Sequence, residues 1–162
     1  MSLSRRFKTD TTLEQKGVGI QFPPNDDNSI PEFFICRASR SNPGYQKVAD
    51  RIFKPFRRAQ EMGALPESKN QELTRQVFAE AGLIGWKNVL LSDVMNDDSL
   101  EGFAEYSVEN AIALLKNLPE VYGRLIELAT SHETFMAAVN EADAKNSAKS
   151  AATSSSKVQP SE

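Results

Sequence analysis

Tyr45–Ala59 reads YQKVADRIFKPFRRA, and its periodicity decides the fold class. Counted from Tyr45, the apolar residues Val48, Ala49, Ile52, Phe53, Phe56 and Ala59 recur every three or four positions. At about 100° per residue they fall within a stripe roughly 140° wide, which is the pattern of an α-helix with one buried side. Lys47, Arg51, Lys54, Arg57 and Arg58 all fall on the opposite side. Asn42-Pro43-Gly44 supplies a start signal and Gly63 a stop. Pro55 has no amide hydrogen, so the helix should kink or restart there.

Upstream of this helix the pattern changes to period two. Val18-Gly19-Ile20-Gln21-Phe22 alternates, with Val, Ile and Phe on one face. Glu32–Ala38 (EFFICRA) is a second candidate strand, and Phe7-Lys8-Thr9 a third. Phe22–Pro31, with its three prolines, reads as the loop between strands. Three short strands are marginal alone and need a helix to pack on.

Downstream the chain reads as helical. Ser68-x-x-Gln71 is a capping-box pattern, so a helix should start at Ser68, carry Leu73, Val77, Ala81 and Ile84 on its apolar face, and end at Gly85. Trp86 and the apolar run Val89-Leu90-Leu91 follow, then the polar loop MNDDSLEG. A third helix should follow Ser107, and a fourth should begin at Pro119 and run through Val139, with Val121, Leu125, Leu128, His132, Phe135 and Val139 as its stripe. Residues 141–162 lack Leu, Ile and aromatics and are rich in Ala, Ser and Lys, so a flexible tail is expected there. The predicted fold class is α+β, mainly α: a small N-terminal antiparallel β-meander, then a bundle of about four helices, then the tail. One domain is expected over residues 1–140, β-rich at 5–38 and helical at 42–140.

Composition narrows the function. With one cysteine and one histidine in 162 residues, internal disulfides, cysteine-rich zinc sites and His-pair metal sites are excluded. Met1–Thr9 carries Arg5, Arg6 and Lys8 with no apolar run behind them, and the longest apolar stretches are too short to span a bilayer. A soluble intracellular protein without catalytic residues, cofactor or metal is therefore expected. The net charge of −3 conceals an asymmetry: residues 1–58 carry +5 and residues 59–162 carry −8. A chain divided in this way can meet itself head to tail or meet a partner of either sign.

Each candidate site has a plain reading beside the functional one. The five cations opposite the apolar stripe can be a solvated face, or one paired with the acidic part of the same chain. As a binding face they suit an acidic protein ahead of nucleic acid, given a pI near 5.3 and no aromatics interleaved with the cations. Membrane binding ranks lower, because Phe53 and Phe56 are needed in the core. Cys36, in an apolar strand pattern, reads as a small buried hydrophobe, and His132 as a packed helix residue. Asp26-Asp27 and Asp97-Asp98 lack the alternating spacing of a calcium loop. Trp86 is either a buried anchor or, if exposed, a partner hot spot. The candidate partner contacts are Lys47, Arg51, Lys54, Arg57, Arg58 and Trp86.

The order of short segments carries a resemblance. FKTDxxLExxGV from Phe7 is followed by Arg37-Ala38, Lys54-Pro55-x-Arg57-Arg58, Gly63-x-Leu65, Gly85-Trp86-x-Asn88-Val89, Ser107-Val108-Glu109-Asn110-Ala111, Leu118-Pro119-Glu120 and Phe135. Over about Arg6 to Asp143 the set resembles the tail assembly chaperones of bacteriophages with long non-contractile tails. The resemblance implies a non-enzymatic factor that binds the tape-measure protein, keeps it soluble, helps recruit tail-tube subunits, and acts in the host cytoplasm without entering the mature virion. It also implies multiple copies of the chain on one tape measure, and a longer frameshifted form that contacts tail-tube protein. Ala144-Lys145-Asn146 is compatible with an A-AAA-AAC slippery codon run, which the gene sequence around codon 145 would reveal or remove. The alternatives are a structural minor tail or connector protein and a nucleic-acid-binding regulator that uses the basic helix.

Overall fold

The computed structural model describes residues 2–136. A three-stranded antiparallel sheet in the order β1 (Val18–Gln21), β2 (Glu32–Ile35), β3 (Leu83–Lys87) packs against a mainly helical body. The α+β class, dominated by helix, is thus observed. Two of the three predicted strands are in place, with β2 shorter than predicted. Phe7-Lys8-Thr9 is not a strand. Leu3–Phe7 is a short helix, α1, whose start is capped by the Ser2 hydroxyl accepting from the Arg5 amide, and a second, α2, spans Thr11–Lys16. The Asp10 carboxylate accepts from the amides of Thr12 (2.8 Å) and Leu13 (3.4 Å), and this cap starts α2 directly after the segment expected as a strand. Gly17 closes α2 at φ 94°, where a Cβ would lie 2.8 Å from Ile84 Cδ1, so only glycine lets α2 turn onto the sheet.

The third strand comes from the segment predicted as the end of a helix. The helix Glu67–Val77 (α5) stops there, and Phe78–Gly82 widens into a π-helical turn before β3 begins. The wider turn leaves carbonyls to be satisfied from outside. The Tyr106 hydroxyl donates between the carbonyls of Ala79 and Leu83, and the Cys36 amide donates to the Gly82 carbonyl at 2.7 Å. A Cβ on Gly82 would run into the Phe78 ring, so the fully buried Phe78 ring takes the space a side chain would need. In β3, Leu83 and Trp86 point inward while Ile84 is the extra residue of a bulge opposite Phe34 and Ile35, and is 40% exposed. The division into a β-rich 5–38 and a helical 42–140 is corrected accordingly: the sheet is completed from within the helical part.

The segment that decided the fold class behaves as predicted, including the restart at Pro55. Helix α3 (Pro43–Phe53) starts after Asn42, a 3₁₀ turn covers Lys54–Phe56, and α4 (Arg57–Glu61) restarts beyond it. Ser68 does not cap a helix, because α5 already begins at Glu67, directly after Pro66. A short helix absent from the sequence reading, α6 (Leu91–Met95), follows β3. Helix α7 (Val108–Asn117) is capped by Ser107, whose hydroxyl accepts from the Asn110 amide at 3.0 Å. Helix α8 (Pro119–Thr130) has proline in its first turn but ends before His132, which lies in a 3₁₀ turn, His132–Phe135. The His132 ring meets Phe7 at 5.0 Å between centroids. Val139 and the expected tail at 141–162 lie outside the described residues.

The main core joins Phe33, Ile35, Phe78, Leu83, Trp86, Leu114, Leu115, Leu125 and Phe135, so the sheet and the helices share one interior. A smaller cluster of Ile52, Leu73 and Val77 lies between α3 and α5. Asn42 ties the start of α3 to α2 and to the chain leaving β2: its buried amide donates to the carbonyls of Glu14 (3.1 Å) and Arg37 (3.0 Å), exchanging lost hydration for two hydrogen bonds.

Candidate partner-binding surfaces

The cations of α3 and of the turn and helix that follow it form a ledge. Lys47, Arg51, Lys54 and Arg57 line an open concavity of about 740 Å³ together with Val48 and Asp50. The spacing of four, three and three residues puts them in one row, and the 3₁₀ turn at Pro55 carries the row across the junction between α3 and α4. Arg51 is ion-paired with Glu80 from the π-helical turn, and Asp50 accepts from the Gln46 side chain at 2.8 Å. Among the described residues Lys47, Lys54 and Arg57 have no ion-pair partner. One cation of the row is therefore engaged by the acidic part of the chain and three face solvent. Arg58 is exposed but does not line the concavity.

Trp86, grouped with these cations as a candidate contact, lies elsewhere. It is 8% exposed, its indole Nε1 donates to the Ala104 carbonyl at 2.8 Å, and its ring packs edge-on to Tyr106 at 5.2 Å. Its polar atom is satisfied and its ring is covered, so it anchors β3 and offers no hot spot.

Val48 also borders a second hollow of about 350 Å³ that contains Cys36, Tyr45 and Ile84. The Cys36 thiol donates to the Gln15 carbonyl at 3.2 Å, and burial pushes its pKa up. A raised pKa lowers the thiolate fraction, which is what nucleophilic chemistry needs. Burial, with Tyr122 as a smaller contributor, pushes the Tyr45 hydroxyl up to about 12, so it stays neutral.

A third cavity escaped the sequence reading. Phe22, Phe33, Val89, Leu114, Leu118 and Val121 enclose about 170 Å³, with Asn25 and Asp93 as its polar members. The loop from β1 is clasped over it: Asn25 donates to the Asn88 carbonyl at 2.9 Å and Asn88 donates back to the Ile30 carbonyl at 3.0 Å. Asp93 stands on α6, in an excursion closed at its base by the Leu90–Phe103 bridge. Burial first, and Asp98 second, raise the Asp93 carboxyl pKa from its ordinary value. On the same excursion Met95, Leu100 and Phe103 are 49%, 36% and 49% exposed. The signal for this surface was present in the sequence: residues 93–109 hold six Asp/Glu and no Lys or Arg.

The remaining acidic loops have a local explanation. Asp27 and Asp97 each accept from the amide and hydroxyl of the serine two residues on, Ser29 and Ser99, which lowers both carboxyl pKa values. Those contacts are turn-closing bonds. Among the described residues, no group of three His, Cys, Asp or Glu is placed to hold a metal ion, and no helix is long and apolar enough to cross a membrane.

Fold and surface together define a small α+β protein with a cationic ledge along α3 and the start of α4 and an acid-lipped apolar cleft elsewhere. Residues 40–146, about two thirds of the chain, match the family of the YdaY prophage protein. The chain belongs to that family and is phage-derived. The match runs from just before α3 past α8, so it contains the whole ledge. No curated protein and no solved structure matches the chain.

Proposed function

We propose that the chain is a non-enzymatic tail assembly chaperone, which binds the tape-measure protein, keeps it soluble and helps recruit tail-tube subunits. The observation that carries this reading is the ledge: three unpaired cations beside Arg51 in one row, with Val48 between them. A long amphipathic helix with acidic residues along one side is the partner such a row suits, since helix-in-groove contacts need an apolar floor and complementary charge more than special chemistry. Many copies on one tape measure supply avidity from weak individual contacts. Membership of a prophage family and the ordered segments from Phe7 to Phe135 support the same reading. In this role the protein works in the host cytoplasm and leaves before the virion is complete, and a longer frameshifted form brings in tail-tube protein.

The test is co-expression with the tape-measure protein of the same prophage, followed by pull-down and a solubility assay. A soluble tape measure carrying many copies of this chain is the expected result. An insoluble, unbound tape measure with this chain present in purified virions would establish a structural tail component instead. Retardation of DNA at low salt that fades steeply as salt rises would point to a nucleic-acid-binding regulator.

A further inference from the structure

The cavity under the Asn25–Asn88 clasp and the excursion beside it have no part in the reading above. At about 170 Å³ the cavity is of the size that accepts a benzene-like group, which fits a space of about 150 Å³. Its walls are the rings of Phe22 and Phe33 and the aliphatic side chains of Val89, Leu114, Leu118 and Val121. Its one charged member, Asp93, makes no side-chain hydrogen bond or ion pair with any described residue, and its electrostatic neighbour is a second carboxylate, Asp98. On the same excursion as Asp93, which carries no cation, Met95, Leu100 and Phe103 are exposed. Exposed apolar residues ringed by charge of one sign mark a contact surface for a partner of opposite sign.

We infer that this cleft and its acidic lip dock a basic amphipathic helix of a second partner, which seats one large apolar side chain between Phe33 and Leu118 and sets Lys or Arg against Asp93 and Asp98. The apolar floor supplies the anchor, and the unpaired carboxylates supply the preference for a cationic helix. A protein that carries a cationic ledge and, formed by different residues, an acid-lipped cleft can hold two partners of opposite charge at once.

The experiment uses the full chain and two fluorescent synthetic helices with identical leucine stripes, one bearing lysine and the other glutamate on the polar side. Fluorescence anisotropy should show the lysine helix binding and its affinity falling with salt. Asp93→Asn and the cavity-filling Val121→Phe should each weaken it about tenfold, which corresponds to about 1.4 kcal/mol, whereas Arg57→Glu should leave it unchanged. Circular dichroism checks that both cleft variants keep the native helix content, and Asp93→Asn keeps the test valid should Val121→Phe fail to fold. The inference is overturned if the lysine helix does not bind, if both helices bind alike, or if Asp93→Asn binds as the unaltered chain does. It stands apart from the chaperone reading: a chain that solubilises the tape measure yet ignores the lysine helix keeps the first and loses the second.

Discussion

At Asp93 a carboxylate is partly withdrawn from water with another carboxylate nearby, so its charged form is disfavoured in the folded chain relative to the unfolded one. The folded state therefore holds this proton to higher pH than the unfolded state does, and stability falls as pH rises through that window and stays lower at neutral pH. Asp93→Asn should raise the melting temperature at neutral pH, and the gain should vanish in acid once Asp93 is protonated in both states. A thermal melt series against pH checks both signs. The same substitution is expected to weaken docking of a basic helix, so the residue trades stability for binding. Phe135 represents the opposite case. It is fully buried in the main core with the Arg37 guanidinium 5.7 Å over its ring, and Phe135→Ala should cost about 3–5 kcal/mol in denaturant titration. Its burial was legible from the apolar spacing after Pro119, even though the helix expected to carry it ends at Thr130.

Between elements, the junction of α5 and β3 depends on one missing side chain. Gly82→Ala would push a methyl group into the Phe78 ring, and in a packed interior such crowding costs about 1–3 kcal/mol. Shortening the neighbour relieves it, so the double variant Gly82→Ala, Phe78→Leu should lose less than the two single variants together; urea midpoints for the full cycle decide this. This junction is also where the sequence misled. Leu73, Val77, Ala81 and Ile84 keep a spacing of three to four residues straight through the change from helix to strand. Nothing local marks the change, because the carbonyls freed by the π-helical turn are satisfied by Tyr106 and Cys36, which are remote in sequence. Helices α3, α7 and α8 were legible because their start signals are their own neighbours: Pro43, Ser107 and Pro119. Within α3 the periodicity identified the buried side but not the depth. Ile52 is buried, while Phe53 and Phe56 are half-buried against it. Ile52→Ala should therefore cost about 2–5 kcal/mol, and Phe53→Ala or Phe56→Ala less; comparing their unfolding midpoints orders the three.

Over the whole molecule, charge is arranged in two territories. The ledge cations follow one another along one continuous stretch of chain, from α3 through the 3₁₀ turn into α4, so simple periodicity revealed them. The cleft is assembled from residues 22–33, 89–93 and 114–121, which only the tertiary fold brings together, and no period in the sequence connects them. If the ledge is the chaperone surface, Arg57→Glu with Arg58→Glu should leave the melting temperature almost unchanged, since both residues are exposed and, among the described residues, outside any ion pair. Tape-measure binding should weaken at the same time, and more at low salt than at high salt. Unchanged pull-down across salt concentrations would make the ledge a solvated face and nothing more.

The late arrival of β3 has a consequence for biosynthesis. A ribosome making this chain releases β1 and β2 long before Leu83–Lys87 exists, and a two-stranded hairpin is marginal in water. Phe33 and Ile35 must therefore remain uncovered while the next fifty or so residues are translated, because the loop has to close before the pairing can repay its entropy. A protein proposed to shield another chain's apolar surface thus begins its own existence with an unshielded one, and truncation anywhere before Lys87 should yield a product that aggregates instead of a smaller folded unit.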